Sequence, residues 1–199
     1  MVEFDAYGFK KSDEKFKRNR NAEDIRYRKV QLVTFEKRLI QTLPQDCELC
    51  FHGTPIWNAE QIIKSGNISA LIDRIGEKEN VLPNPGKISV STIKNLWFTI
   101  KYHTELYNYD YPAGCIFVIM PNGKDEIKSS QEENIINNVY FEKHPQRLKA
   151  IITTPENIDL VKQWIAQSEL NIDTDVVVDF ERFIINMKDK YQQETSKTI

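Results

Sequence analysis

Glu48-Leu49-Cys50-Phe51-His52-Gly53-Thr54-Pro55 is the stretch whose reading decides the fold. An apolar run that ends in histidine, glycine and threonine predicts a short strand over 48–52 running into a turn. Asn58 then caps a helix over 59–65, and Gly66 stands where helices are closed by a left-handed residue. A strand leads through a turn into a helix, and that order frames the rest of the chain.

Upstream, Asn21 caps a long amphipathic helix over 22–43, with Ile25, Leu32, Val33, Leu39, Ile40 and Leu43 at helical spacing and Pro44 as its stop. Residues 1–20 are charged and aperiodic and read as an arm. Downstream, Gly76, Pro83, Asn84, Pro85 and Gly86 mark a long loop over 68–86. Ile88-Ser89-Val90-Ser91 alternates at period two, Leu96-Trp97-Phe98-Thr99 is a second strand candidate, and a helix is expected over 100–109. Cys115-Ile116-Phe117-Val118-Ile119-Met120 reads as a buried strand, ended by Pro121-Asn122-Gly123. Further strands are expected over 139–141 and 148–152. Thr154-Pro155-Glu156 opens a helix carrying Ile158, Val161, Trp164 and Ile165, and a last helix is expected over 175–187.

The sum is an α+β fold, with short strands in two small sheets and helices at both termini. It divides into an arm and amphipathic helix at 1–44, a core at 45–155 and C-terminal helices packed on the core at 156–199. At 199 residues the chain fits a single core.

A formal charge of -2 argues against a general phosphate-backbone binder. No apolar run reaches the length of a membrane span, and the lysines at 10, 11, 15 and 17 precede no apolar segment, so cytosolic synthesis without a secretory leader is expected. Cys47, Cys50 and Cys115 cannot all pair. Cys47-x-x-Cys50 has zinc spacing and His52 follows it, but the second pair a structural zinc needs is missing. No metal is expected, and Cys50 reads as a small apolar strand residue. No Gly-x-Gly-x-x-Gly or Walker loop follows a strand.

A lone His-Gly-Thr carries little weight. Here it is followed in order by the Gly66 helix, Ser89-Val90-Ser91, Leu96-Trp97-Phe98-Thr99, an aromatic segment with Tyr107 and Tyr109, and Gly114-Cys115-Ile116-Phe117-Val118-Ile119-Met120-Pro121. That series resembles the His-Tyr-Glu branch of the ADP-ribosyltransferase superfamily, which includes poly(ADP-ribose) polymerases and rifampicin ADP-ribosyltransferases. The similarity covers about 48–155.

The resemblance implies an NAD-dependent mono-ADP-ribosyltransferase, with NAD as co-substrate and a protein, nucleic acid or small molecule as acceptor. It implies that His52 holds the adenosine-side ribose and that the Gly53 backbone fixes the nicotinamide amide, with Thr54 ending the strand. A backbone N–H and C=O pair matches a carboxamide, and glycine allows close approach. Trp97 stands where the family has its tyrosine and Phe98 follows it; Tyr107 lies where a second stacking tyrosine occurs; Ser89 and Ser91 lie on a strand that shapes the site. A carboxylate near the ribose stabilises oxocarbenium charge and orients the nucleophile. By similarity to the rifampicin enzymes it is Glu126, with Asp125 next; other branches place it at a strand opening near Val139, where Asn137 and Asn138 stand, with Glu132, Glu133 and Glu142 nearby. Trp97, Phe98 and Phe117 also suit core positions, and Asp125 and Glu126 suit a solvated loop.

Two further readings stand beside the first. One is a catalytically degenerate module that binds NAD or ADP-ribose and acts through a partner; the other is an RNA 2'-phosphotransferase, disfavoured by the acidic balance. Family analogy alone suggests a toxin or effector.

Overall fold

The computed structural model describes residues 34–35, 37–44, 47–69, 86–93, 96, 114–123, 126–129 and 134–196. Trp97, Phe98, Thr99, Tyr107, Tyr109, Asp125, Glu132 and Glu133 lie outside the described residues, as do the arm, most of the long loop, the segment 100–109 and the first part of the N-terminal helix.

The described residues form an α+β fold with nine strands: β1 (Cys50–Thr54), β2 (Asn67–Ile68), β3 (Lys87–Val90), β4 (Cys115–Ile119), β5 (Lys128–Ser129), β6 (Asn134–Asn137), β7 (Val139–Tyr140), β8 (Leu148–Ile152) and β9 (Val177–Val178). Four helices accompany them: α1 (34–42), α2 (Ile56–Ser65), α3 (Ile158–Gln167) and α4 (Phe180–Ser196). A mixed sheet has the order β1-β4-β8-β9, with only β9 parallel to its neighbour; the small sheets are β3-β6-β5 and β2-β7.

The four-stranded sheet is the middle layer. Because successive side chains on a strand point to opposite faces, each strand feeds two cores. Cys50, Cys115, Phe117, Ile119 and Ile151 join Ile88, Val90 and Ile136 of the small sheet and the apolar faces of α2 and α3. Phe51, Ile116, Val118, Ala150 and Ile152 pack on the other side against Phe35 and Leu39 of α1 and Phe183 and Ile184 of α4. β4 is buried along its whole length because both faces are covered, which is why it reads as an unbroken apolar run. Each fully buried aliphatic or aromatic side chain contributes about 1.5–3 kcal/mol.

Several boundaries differ from expectation. The first strand starts later and extends through Gly53 and Thr54. α2 begins at Ile56, directly after Pro55, so Asn58 is a buried first-turn residue and no side chain caps the helix. Gly66 does close α2: it adopts φ 67°, its N–H bonds Ile63 O, and its C=O accepts from Phe141 N–H at 2.7 Å. Leu96 is helical, where a strand was expected to start. Ile40 is 50% exposed, off the face that buries Leu39 and Leu43. The expected last helix begins instead as a 3-10 turn, Thr174–Val176, and then β9; α4 follows and runs past Met187. The segment Thr153 to Val178 is a crossover in which α3 covers the sheet and β9 returns beside β8.

Gly114, just before β4, lies against the end of β1. A Cβ there would fall 1.9 Å from Thr54 O, so no side chain fits, and Thr153 Oγ1 donates to Gly114 O at 3.1 Å. Among the described residues no helix is long and apolar enough to cross a membrane.

Candidate functional site

The site expected at the end of β1 is built by the way β1 and β3 part. Phe51 N–H donates to Ser91 O and Ser91 N–H to Phe51 O, both at 2.8 Å, and this antiparallel bridge is the one rung that joins the two strands among the described residues. Backbone groups alternate in direction along a strand. Since the groups of Phe51 point toward β3, those of Gly53 point the same way, while His52 faces Phe117 of β4. Yet β3 is paired with β6 and has left β1 by that point, so Gly53 presents an N–H and a C=O to the opening between the strands without a ladder partner among the described residues.

The His52 side chain spans the same opening. Its Nδ1 lies 2.9 Å from Ser89 O. A carbonyl oxygen only accepts, so Nδ1 carries the hydrogen, and in the neutral ring Nε2 is the acceptor. The bond fixes both the tautomer and the ring orientation. His52 and Gly53 are half-buried, Ser89 is exposed, and Ser91 and Thr54 are buried. Thus His52, Gly53, Thr54, Ser89 and Ser91 come together at one seam.

Glu126 lies elsewhere. Its Oε2 accepts from Arg147 Nη2 at 2.8 Å and from the Asn122 N–H, and the two charged side chains are 7% and 6% exposed. Arg147 also donates from Nε to Met120 O at 3.0 Å, and Met120 N–H bonds Arg147 O at 2.8 Å. This cluster sits at the Ile119 end of β4, beside a register shift between Val118 and Ile119. β4 is antiparallel to β1, so that end pairs with Cys50, whereas Thr54 pairs with Cys115 at the other end. Sequence reading marked Glu126 but not Arg147, since nothing around an arginine between Pro145 and Leu148 distinguishes it from a surface residue.

The thiols near the site are inert. Burial pushes Cys50 up to about 12, with the negative charge of Glu126 adding to the rise and Arg147 opposing it; burial likewise pushes Cys115 up to about 12. A metal ligand or nucleophile must be a thiolate. Among the described residues no three His, Cys, Asp or Glu side chains group as a metal site. Near the ends of β6 and β7, Glu142 is exposed and its N–H bonds Gly66 O; the amide residue Asn137 is exposed and its Oδ1 accepts from Lys87. His144 is an exposed turn residue whose N–H bonds Tyr140 O.

No family model, curated protein or solved structure matches this chain.

Proposed function

We propose that the chain binds NAD across the β1–β3 seam and transfers its ADP-ribose to an acceptor, releasing nicotinamide. The observation that carries the reading is the Gly53 backbone pair, without a ladder partner among the described residues, beside a histidine ring held in one tautomer. A peptide N–H and C=O on one residue meet a carboxamide's oxygen and NH2 with matched polarity, and such buried, aligned bonds discriminate strongly against groups that lack them. His52 Nε2, held as an acceptor, is suited to a ribose hydroxyl. The reading is of an ADP-ribosyltransferase-like split of two sheets; Trp97, Phe98 and Tyr107 are assigned to it as stacking groups from the sequence alone.

In the reaction the bond between ribose C1 and the nicotinamide nitrogen breaks and its electron pair leaves with nicotinamide. The acceptor's nucleophile forms the new bond to C1 and loses its proton to a base. Positive charge on the ribose at the transition state calls for a carboxylate. The Glu126 carboxylate is engaged by Arg147 and by the Asn122 N–H, at the end of β4 away from Thr54. Asp125 is its neighbour in the chain. Glu132 and Glu133 precede β6, whose first residue Asn134 pairs with Val90 between Ser89 and Ser91, which makes them the alternative acids for the same role.

The commitment of Glu126 to Arg147 also favours a second reading, in which the seam binds NAD or ADP-ribose without turnover. Release of nicotinamide from NAD by the purified protein, with a cell lysate as acceptor source, separates the two. The transferase reading expects release that is lost in His52→Ala and in one of Glu126→Gln, Asp125→Asn or Glu133→Gln. Binding without release supports the module, and failure to bind NAD at all overturns both.

A further inference from the structure

The seam and the Glu126–Arg147 pair are two polar joints between the four-stranded sheet and the small sheet β3-β6-β5. In the four-stranded sheet, Cys50, Ile119 and Leu148 form a rung across β1, β4 and β8. Arg147 immediately precedes Leu148, and Cys50 lies two residues before His52. In the small sheet, Ser89, Ile135 and Lys128 form a rung across β3, β6 and β5. Glu126 lies two residues before Lys128, and Ser89 is the residue whose carbonyl receives His52. The two sheets are therefore joined between their edge strands β1 and β3 at the seam, by His52 to Ser89 and by the Phe51–Ser91 bridge. They are joined again by Arg147, just before the interior strand β8, to Glu126, two residues before the edge strand β5.

Between these joints lies an apolar core, with Cys50, Ile119 and Ile151 on one sheet facing Ile88, Val90 and Ile136 on the other and Ile127 packed at its margin. The hydrophobic attraction between the sheets is non-directional, and a polar joint adds a directional constraint to it. A buried ion pair anchored at both ends has a definite length and direction. Arg147 is fixed by two bonds to Met120, and Glu126 by the Asn122 N–H. We infer that this pair is a positioning strut: it sets the angle between the two sheets and with it the distance from His52 and the Gly53 backbone to β3. The inference deepens the NAD reading of the seam and rests on it. Glu126 then acts on binding through geometry and does not touch the reacting atoms.

The test replaces both partners by an apolar pair, Glu126→Met with Arg147→Met, because such swaps of a buried ion pair restore packing without leaving an unpaired charge. Spin labels at Lys128→Cys on β5 and Lys149→Cys on β8, both exposed, in a Cys47→Ser background, report the spacing of these two strands. The strut predicts a distance distribution that broadens or shifts in the Met pair and an NAD dissociation constant at least tenfold weaker, measured where wild type and variant are both folded. An unchanged distribution overturns the inference, and so does a changed distribution with unchanged NAD affinity. If wild type binds no NAD, the functional reading of the seam fails, and the strut is then judged on the distances alone. Should the Met pair not fold, Glu126→Gln decides. A strut raises the dissociation constant, whereas a catalytic acid leaves it in place and lowers turnover, the result that overturns the inference.

Discussion

Two arginine–glutamate pairs tie distant parts of this chain, and solvent separates their meaning. Arg147 and Glu126 are 6% and 7% exposed and join the entry to β8 to the entry to β5; Arg38 and Glu181 are 42% and 60% exposed and join α1 to α4. The chemistry is the same in both. In the buried pair each charge has lost most of its water, so each depends on the other, and removing one leaves a buried charge with only backbone partners. In the exposed pair water replaces either partner at once. The α1–α4 contact is held instead by apolar groups, including the rings of Phe35 and Phe180, 4.4 Å apart, while the pair decorates its rim.

The sharpest way to break this contrast is at the buried pair. Arg147→Met alone, which strands the Glu126 carboxylate, is expected to cost about 3–5 kcal/mol in urea or thermal unfolding. The double Met replacement is expected to recover most of that. A double variant as unstable as the single would show that the loss comes from packing at position 147 and not from charge.

The pair's neighbour Cys50 sharpens the comparison from another side. Cys50 and Cys115 have folded values of about 12 against an ordinary 9.0, so the native state holds their protons more tightly than the unfolded chain does. That contribution is whole below pH 9 and is lost as pH rises toward 12, at about 1.4 kcal/mol per unit for each thiol. Unfolding free energies at pH 8 and 10.5 are expected to fall more steeply in wild type than in a Cys50→Ala, Cys115→Ala variant. Parallel curves would mean that the thiols already reach water. At neutral pH, both are expected to resist a thiol reagent until the protein unfolds.

At the seam the expected cost is smaller in stability and larger in binding. His52→Ala removes the bond to Ser89 O, on the order of 1 kcal/mol. Gly53 and the Phe51–Ser91 bridge remain, so the fold persists. NAD affinity is expected to fall at least tenfold; full affinity in this variant would take the seam out of the functional reading.

Much of this was legible where local pattern and tertiary role coincide. Cys115 to Ile119 reads as a buried strand because every residue is apolar, and Gly66 marks a helix end because its backbone is left-handed. β6 was hidden: Asn134 and Asn137 bracket only two apolar residues, and asparagine signals turns. β9 was hidden because its two valines sit at the mouth of a helix and owe their strand state to Ile151 and Ile152. His52, Gly53, Ser89 and Ser91 were singled out by the resemblance of their order along the chain, and the fold brings them together at the β1–β3 seam. The partner of Glu126 was not singled out, since Arg147 is 21 residues away and the pairing exists only once two sheets are folded.

The exposed pair supplies the smallest effect and the control for the others. Arg38 Nη2 donates to Glu181 Oε1 at 2.8 Å while Nη1 meets Oε2, a two-pronged contact that holds the Glu181 carboxyl below its ordinary value and raises Arg38. A lowered carboxyl value gives a contribution present at neutral pH and lost as pH falls through the folded value, so Glu181→Gln is expected to matter least in acid. Because both groups lie in water, salt screens what remains. Glu181→Gln is expected to leave the unfolding midpoint at pH 7 and moderate salt within experimental error of wild type. If its cost instead approached that of Arg147→Met, position along the chain and not burial would decide the worth of these pairs, and the case for Glu126 and Arg147 as the strut would lose its physical basis.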